Sequence, residues 1–177
     1  MKRVLFLLVA LILCAGLVQG CVPLPAQAPV PSAQEEANKQ LVASNNEEVW
    51  NQARLDLIPE RYAGNYTRHQ PGLPTEPLGT EGLKGMIQQV KTGFPDWTCT
   101  IEDMFAAGDK VAVRYTCQGT QTGEWQGLPP TGKPMKITVT IIHRVADGKV
   151  VEDWVDLDQL GMMQQLGMQL VPAGRAE

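Results

Sequence analysis

MKITVTIIHRVADGKVVEDWVDL, residues 135–157, reads as two strands joined by a tight turn. Ile137, Val139, Ile141 and His143 fall at every second position, as do Val151, Asp153, Val155 and Leu157, which is the period of a strand with one buried face. Asp147-Gly148 is a hairpin turn signal between them. Two turns are compatible with this stretch. If Val145-Ala146-Asp147-Gly148 form a type I turn with Gly148 as a G1 bulge, the two sets of four residues share a face. If the turn has two residues, the partner face becomes Glu152, Trp154, Asp156 and Asp158. The first reading makes the more coherent wall for a pocket. It is apolar except for His143 and Asp153, which lie diagonally across the two strands.

Working outward, Trp97 to Phe105 and Val111 to Gly119 read as a second strand pair turning at Gly108-Asp109. Residues 119–134, GTQTGEWQGLPPTGKP, form a long connection with room for a short strand around Glu124. Before the strands the period is helical. Leu41, Val42, Val49 and Trp50 make one stripe over residues 35–52, with Asn45 on it where an apolar residue is expected. A short helix is predicted over residues 55–62, and a turn-rich segment over 70–79. A third helix is predicted over 80–92, carrying Leu83, Met86, Ile87 and Val90, with Gly93 as its left-handed stop. Asp158 is placed to N-cap a last short helix. Helices followed by strands predict an α+β fold in which N-terminal helices pack on a curved antiparallel sheet.

The chain has 177 residues, 44 % hydrophobic and 19 % charged, so it is not intrinsically disordered as a whole. With 15 Lys+Arg against 19 Asp+Glu it has no basic surplus for phosphates, and no nucleic-acid partner is expected. The apolar residues are concentrated at the start. Lys2 and Arg3 precede an apolar run from Val4 to Val18 that ends LVQGC at Leu17–Cys21. That is a secretory pattern, shorter than the roughly 20 apolar residues of a spanning helix. Gly20 directly before Cys21 resembles the lipobox of bacterial lipoproteins, which implies cleavage before Cys21 and its lipidation. Multiple acyl chains would then anchor the protein to a membrane on its extracytoplasmic face. Removal of 20 residues from 177 leaves 157, and the net charge moves from −4 to −6 with the loss of Lys2 and Arg3. Prolines 23, 25, 29 and 31 make residues 21–33 a polyproline-type tether reaching roughly 35 Å. The folded domain is expected over 34–170, with a tail at 171–177. In an exported chain, a β-hairpin centred on Gly108 sets Cys99 opposite Cys117, Ile101 opposite Tyr115 and Phe105 opposite Val111. A Cys99–Cys117 disulfide is therefore expected.

Four segments in order carry a resemblance: NKQLVASNNEEVWNQ (38–52), YTRHQPG (66–72), GTQTGEWQGLPPTGK (119–133) and VVEDWVDLDQLGMMQQLG (150–167). Together they resemble the SnoaL-like, or ester cyclase, branch of the polyketide-cyclase-like proteins in the nuclear-transport-factor-2-like (NTF2-like) superfamily. The resemblance implies a cone: a bent sheet closed by helices around an apolar pocket. It also implies cofactor-free intramolecular aldol closure of polyketide esters by an Asp acid/base, with pairing of two copies through the outer sheet face as one arrangement. Laid on this sequence, the cyclase Asp falls at Val155, its partner His at Ile141 and the Asn of the YxN segment at Arg68. None of these is the residue type the cyclases use, so the fold carries over more directly than the chemistry.

The remaining polar residues supply the candidates. Removal of an acidic C–H proton needs a base in a dry pocket and a donor for the enolate oxygen. Asp153, His69 and His143 are the candidate acid/base groups, although a strand Asp is commonly solvated and His143 equally reads as a satisfied core residue. Asn45, Arg68, Ile141, Val155, Leu157 and Trp125 are candidate ligand contacts. Arg68 also reads as an exposed loop residue, and Asn45 as a pocket donor or only a helix bend. There is no GxGxxG, phosphate loop, GxSxG, HExxH or CxxC motif, and two distant histidines do not make a metal site. Two functions remain open: a cofactor-free enzyme on a small apolar carbonyl or ester compound, or a tethered module that only binds one.

Overall fold

The structure, a computed structural model, describes residues 31–72 and 78–169. The signal at 1–20, Cys21 and most of the tether, the proline-rich residues 73–77 and the tail at 171–177 lie outside the described residues.

Helix α1, Ala33–Ser44, starts in a capping box: the Ser32 hydroxyl accepts from Glu35 N–H while the Glu35 carboxylate accepts from Ser32 N–H. Glu35 also accepts from Gly108 N–H, and Asn38 donates to the Gly108 carbonyl, so α1 clasps the far hairpin turn. The stripe predicted as one helix over 35–52 then changes period. Asn45–Asn51 is a π-helix. Its i→i+5 pattern stacks residues five apart, and Asn46 and Asn51 are such a pair. Both side-chain amides donate to the Cys99 carbonyl, at 2.8 and 3.1 Å, while Cys99 N–H donates to Asn51 Oδ1 at 2.8 Å.

The predicted helix over 55–62 is shorter than expected: a 3-10 turn, Leu55–Leu57, then α2, Ile58–Arg61. The next residues form a strand that the sequence reading did not foresee, β1, Tyr62–His69. Helix α3 spans Gly79–Gly93. Strands β2 (Thr98–Ala107), β3 (Lys110–Thr120), β4 (Pro134–Ala146) and β5 (Lys149–Leu157) and the short helix α4 (Gln159–Gln165) complete the chain. Asp158 caps α4 through Gly161 N–H. The sheet order is β1-β5-β4-β3-β2. It is mixed rather than wholly antiparallel, because β1 pairs parallel to β5, with Arg68 opposite Asp153 and His69 opposite Trp154. The NTF2-like α+β cone holds with that correction.

Two registers also differ in detail. Asp147 and Gly148 both have positive φ (51° and 71°), so the β4–β5 turn has two residues, with Ala146 opposite Lys149. That turn alone would send Asp153 outward, but a bulge at Val151 resets the pairing to Arg144 opposite Glu152 and His143 opposite Asp153. His143, Asp153, Val155 and Leu157 therefore share the inner face as expected, with His143 and Asp153 directly paired rather than diagonal, but Val151 does not: it is the bulged residue, and Val150, opposite Val145, is buried instead. In the β2–β3 hairpin, Cys99 opposes Cys117 and Ile101 opposes Tyr115, after which a bulge at Glu102 shifts the register. Phe105 consequently faces Ala112, not Val111, and is 69 % exposed. Gly93 is not a left-handed stop. It ends α3 as a close approach, since a Cβ there would lie 2.7 Å from the Trp125 Cβ.

The apolar core has two parts. One lines the concave sheet face under Val42, Phe94, Trp97, Met162 and Leu166; the other packs Val49, Ile58, Tyr62, Tyr66, Leu83, Ile87 and Val150.

Candidate functional site

A cavity of about 390 Å³ opens between the concave sheet face and the helices. That volume lies in the range of small-molecule sites. Its walls are mostly apolar: Val42, Met86, Val90, Ile137, Val139, Ile141 and Leu157, with Trp50, Trp97 and Trp125. The π-spacing reaches the cavity as well as the sheet, because Asn45 and Trp50, five apart, both line it. Trp125 is brought over by the 119–134 connection. It makes two backbone hydrogen bonds with Leu128 around a turn at Gln126-Gly127, and Thr122 and Gly123 N–H both donate to the Gly93 carbonyl. The packing of Trp125 on Gly93 requires that glycine.

At the β1–β5–β4 end stands a buried polar network. Asp153 is 2 % exposed and does not itself line the cavity. Its Oδ1 accepts from His143 Nδ1 at 2.7 Å, and its Oδ2 accepts from the Tyr66 hydroxyl at 2.5 Å and from Arg68 at 3.4 Å. Burial pushes the Asp153 pKa up, but the His143 ring, the Arg68 charge and the Tyr66 hydroxyl together hold it below the usual carboxylate range. Burial above all, and then the Asp153 charge, pushes the Tyr66 phenol well above its ordinary value, so it remains a donor. A carboxylate accepts only, so Nδ1 of His143 carries a proton, and in the neutral ring Nε2 is the acceptor. Nε2 lies 3.1 Å from the Tyr115 hydroxyl, and both side chains line the cavity. Burial first, with negative charge nearby, also raises the Tyr115 phenol. The result is a chain from the cavity inward: Tyr115 O–H to His143, and His143 N–H to Asp153. A carboxylate that orients an imidazole, with the second nitrogen at the wall of a mostly apolar cavity, is a general acid/base arrangement.

Each predicted site residue now has a place. Asn45, Arg68, Trp125, Ile141, His143 and Leu157 line the cavity. Val155 is buried in the core and is not a lining residue. His69 is not part of the cavity. It alternates with Arg68 along β1, so its ring falls on the outer sheet face, stacked on Trp154 and 2.8 Å from Glu152. Arg68 is not an exposed loop residue: it is 6 % exposed and lies against the Trp50 ring. Cys99 and Cys117 form a disulfide in the cavity wall. Among the described residues no cluster of His, Cys, Asp and Glu is placed to hold a metal ion.

Tyr62 and Tyr66 were the residues least visible beforehand. Their even spacing is a strand signal, concealed when residues 55–62 are read as helix. Tyr115 was visible as a register position but not as the partner of His143. Two donors stand out by having no partner among the described residues, Asn45 Nδ2 and Trp97 Nε1. An unsatisfied buried donor costs about 1–3 kcal/mol.

Ile141 and Val155 are also directly paired, on the same face and two residues farther from the turn than His143 and Asp153. This chain thus carries an imidazole–carboxylate pair on the same hairpin, nearer the turn. Comparison with known proteins finds structural relatives. IdmH of Streptomyces antibioticus, a proposed polyketide cyclase, is 35 % identical, with 74 % of this chain and 99 % of that chain covered at a TM-score of 0.66. A proposed polyketide cyclase of Bacillus cereus is 31 % identical over 81 % of this chain and 89 % of its own, at a TM-score of 0.66. A SnoaL-like structure from Jannaschia, at 23 % identity and a TM-score of 0.73 over 81 % of this chain and 100 % of its own, shares the fold. No protein with a curated description matches this chain. The model of the SnoaL-like polyketide cyclases matches residues 40–166, most of the folded part, and the chain belongs to that family.

Proposed function

We propose that this protein is an exported, membrane-anchored lipoprotein whose SnoaL-like domain moves a proton next to a carbonyl in a small apolar ketone or ester. The observation that carries the reading is the His143–Asp153 pair, whose second imidazole nitrogen is hydrogen-bonded to the Tyr115 hydroxyl, both side chains lining the cavity. In the step, His143 Nε2 takes the proton from the α-carbon and the C–H electron pair passes into an enolate. The Tyr115 hydroxyl is placed to donate to the enolate oxygen. The proton returns from His143 to carbon, or to an alkoxide if the enolate has closed onto a second carbonyl. No electrons are gained or lost, so the step needs no redox partner and calls for no cofactor.

The test is exchange of the single α-proton of an α-methylated ethyl benzoylacetate in heavy water, followed by NMR. Wild-type protein should accelerate exchange, and His143→Gln should lower the acceleration about a hundredfold or more. Equal rates for the two proteins would remove His143 as the base. A second reading has its own support, since the positions where the cyclases hold Asp and His are Val155 and Ile141. Retention of the ester without exchange would favour that reading, a binding module.

The anchoring part rests on LVQGC at residues 17–21. Cys21→Ser should release the protein from the membrane fraction, because lipidation requires that thiol. A variant that sediments with membranes as fully as wild type would overturn the lipoprotein assignment.

A further inference from the structure

Residues that line the cavity and are also exposed mark where it opens. Among the described residues these are Gln89, Gln126 and Gln159, all glutamines. Gln70, half-buried, is a fourth glutamine of the lining. They come from separate parts of the chain: the end of β1, helix α3, the 119–134 connection and the start of α4. Glutamines elsewhere are engaged in the fold. Gln121 donates to the Leu128 and Pro129 carbonyls and accepts from Thr131, and Gln165 braces the Lys136 backbone. The side chains of Gln89, Gln126 and Gln159 make no hydrogen bond with another described residue. Gln70 Oε1 accepts from Arg68 Nε at 2.9 Å, which leaves its amino group as a donor.

Two contacts order this rim. Trp125 packs on Gly93, one helical turn beyond Gln89 on α3, and so brings Gln126 to the Gln89 side. The Gln159 carboxamide lies against Gly72, two residues past Gln70. Gln126 has a φ of 50°, in the left-handed region that favours glycine, and Gly127 follows at 80°. A glutamine kept in that conformation, with no side-chain partner among the described residues, points to a role at the opening.

Charge narrows what the opening can take. No Asp, Glu or Lys lines the cavity, and the Arg68 guanidinium is paired with Asp153. An ionic head would find no free counter-charge there. A carboxamide both donates and accepts, as a hydroxyl does, so a group of carboxamides matches several neighbouring hydroxyls. We infer that Gln70, Gln89, Gln126 and Gln159 form a subsite for a neutral, polyhydroxylated head of the sugar type, on a ligand whose apolar body fills the cavity. The inference rests on the cavity as a ligand site, but not on proton transfer by His143.

The experiment titrates the protein with phenyl, cyclohexyl and 2-naphthyl β-glucosides, the methyl ethers of the same three bodies, and the matching glucuronides. Binding is followed by ligand-observed NMR, with saturation transfer from protein to the sugar protons. At least one glucoside should bind about tenfold more tightly than its methyl ether and its glucuronide, and its sugar protons should be saturated. The triple variant Gln89→Met, Gln126→Gly, Gln159→Met removes three carboxamides, with side chains of similar length on the helices and a residue suited to positive φ in the turn. It should reduce the preference for the glucoside over its ether to about twofold or less. Ether binding should stay within about twofold of wild type, which also shows that the variant folds. Glucosides that bind no better than the ethers, or not at all, would overturn the inference, as would glucuronides that bind best or a preference that survives the triple variant. Glucoside preference without proton exchange in the wild type would remove the proposed reaction alone, and exchange without that preference would remove this inference alone.

Discussion

Asp153→Ala should destabilise the protein by about 3–5 kcal/mol in urea denaturation at neutral pH. The carboxylate is 2 % exposed and accepts from Tyr66, Arg68 and His143. Its removal leaves the Arg68 charge buried without a counter-ion, which is the main part of the loss. The pH dependence has a definite sign. The folded-state pKa of Asp153 lies below its ordinary value. Its contribution is therefore complete above the unfolded carboxylate pKa of about 3.9 and is lost as pH falls through the folded value. Asp153→Asn keeps the shape without the charge, so the stability gap between wild type and this variant should narrow steadily below about pH 4. A gap that stays constant into strong acid would show that the charge is not what stabilises the network.

Replacement of Cys99 and Cys117 together by Ala should cost up to about 3 kcal/mol, since the bridge closes a short loop between neighbouring strands. The bridged strand β2 is at the sheet edge and holds the π-helix through the Cys99 backbone, so its freedom in the unfolded chain is expensive to remove on folding. Wild-type protein should lose comparable stability on reduction, whereas the double variant should be insensitive to reductant. Identical urea midpoints for wild type, reduced wild type and the variant would refute this contribution. Because both cysteines also line the cavity, retention of the α-methylated ethyl benzoylacetate measured on the same samples shows whether the bridge shapes the pocket as well as the fold.

The legible parts of this chain were those where side-chain period and strand register coincide. The alternation of Ile137, Val139, Ile141 and His143 put His143 on the inner face, and the longer of the two expected turns put Asp153 there too, although a bulge at Val151 and not the turn brings it there. The register that opposed Cys99 to Cys117 held up to Ile101 and then failed at Glu102, because an edge strand can absorb an extra residue that no local pattern announces. Asn45 was the most informative misfit. A polar residue on an apolar helical stripe left donor and bend as alternatives, and it stands where the helix changes to a π-helix.

The sequence by itself determined the long helices, the four strands of the two hairpins and the family resemblance, because these follow from short-range periodicity. Only the tertiary structure decided that β1 joins the sheet parallel to β5. That contact brings Tyr66 and Arg68, some 85 residues distant in the chain, to Asp153. It turned His69 outward and Arg68 inward by a single step of strand alternation. It also left the buried donors of Asn45 and Trp97 without a partner among the described residues. The physical reason is that a hydrogen-bonding partner distant in sequence is set by packing and charge compensation, whereas periodicity records only which side of its own element a residue occupies.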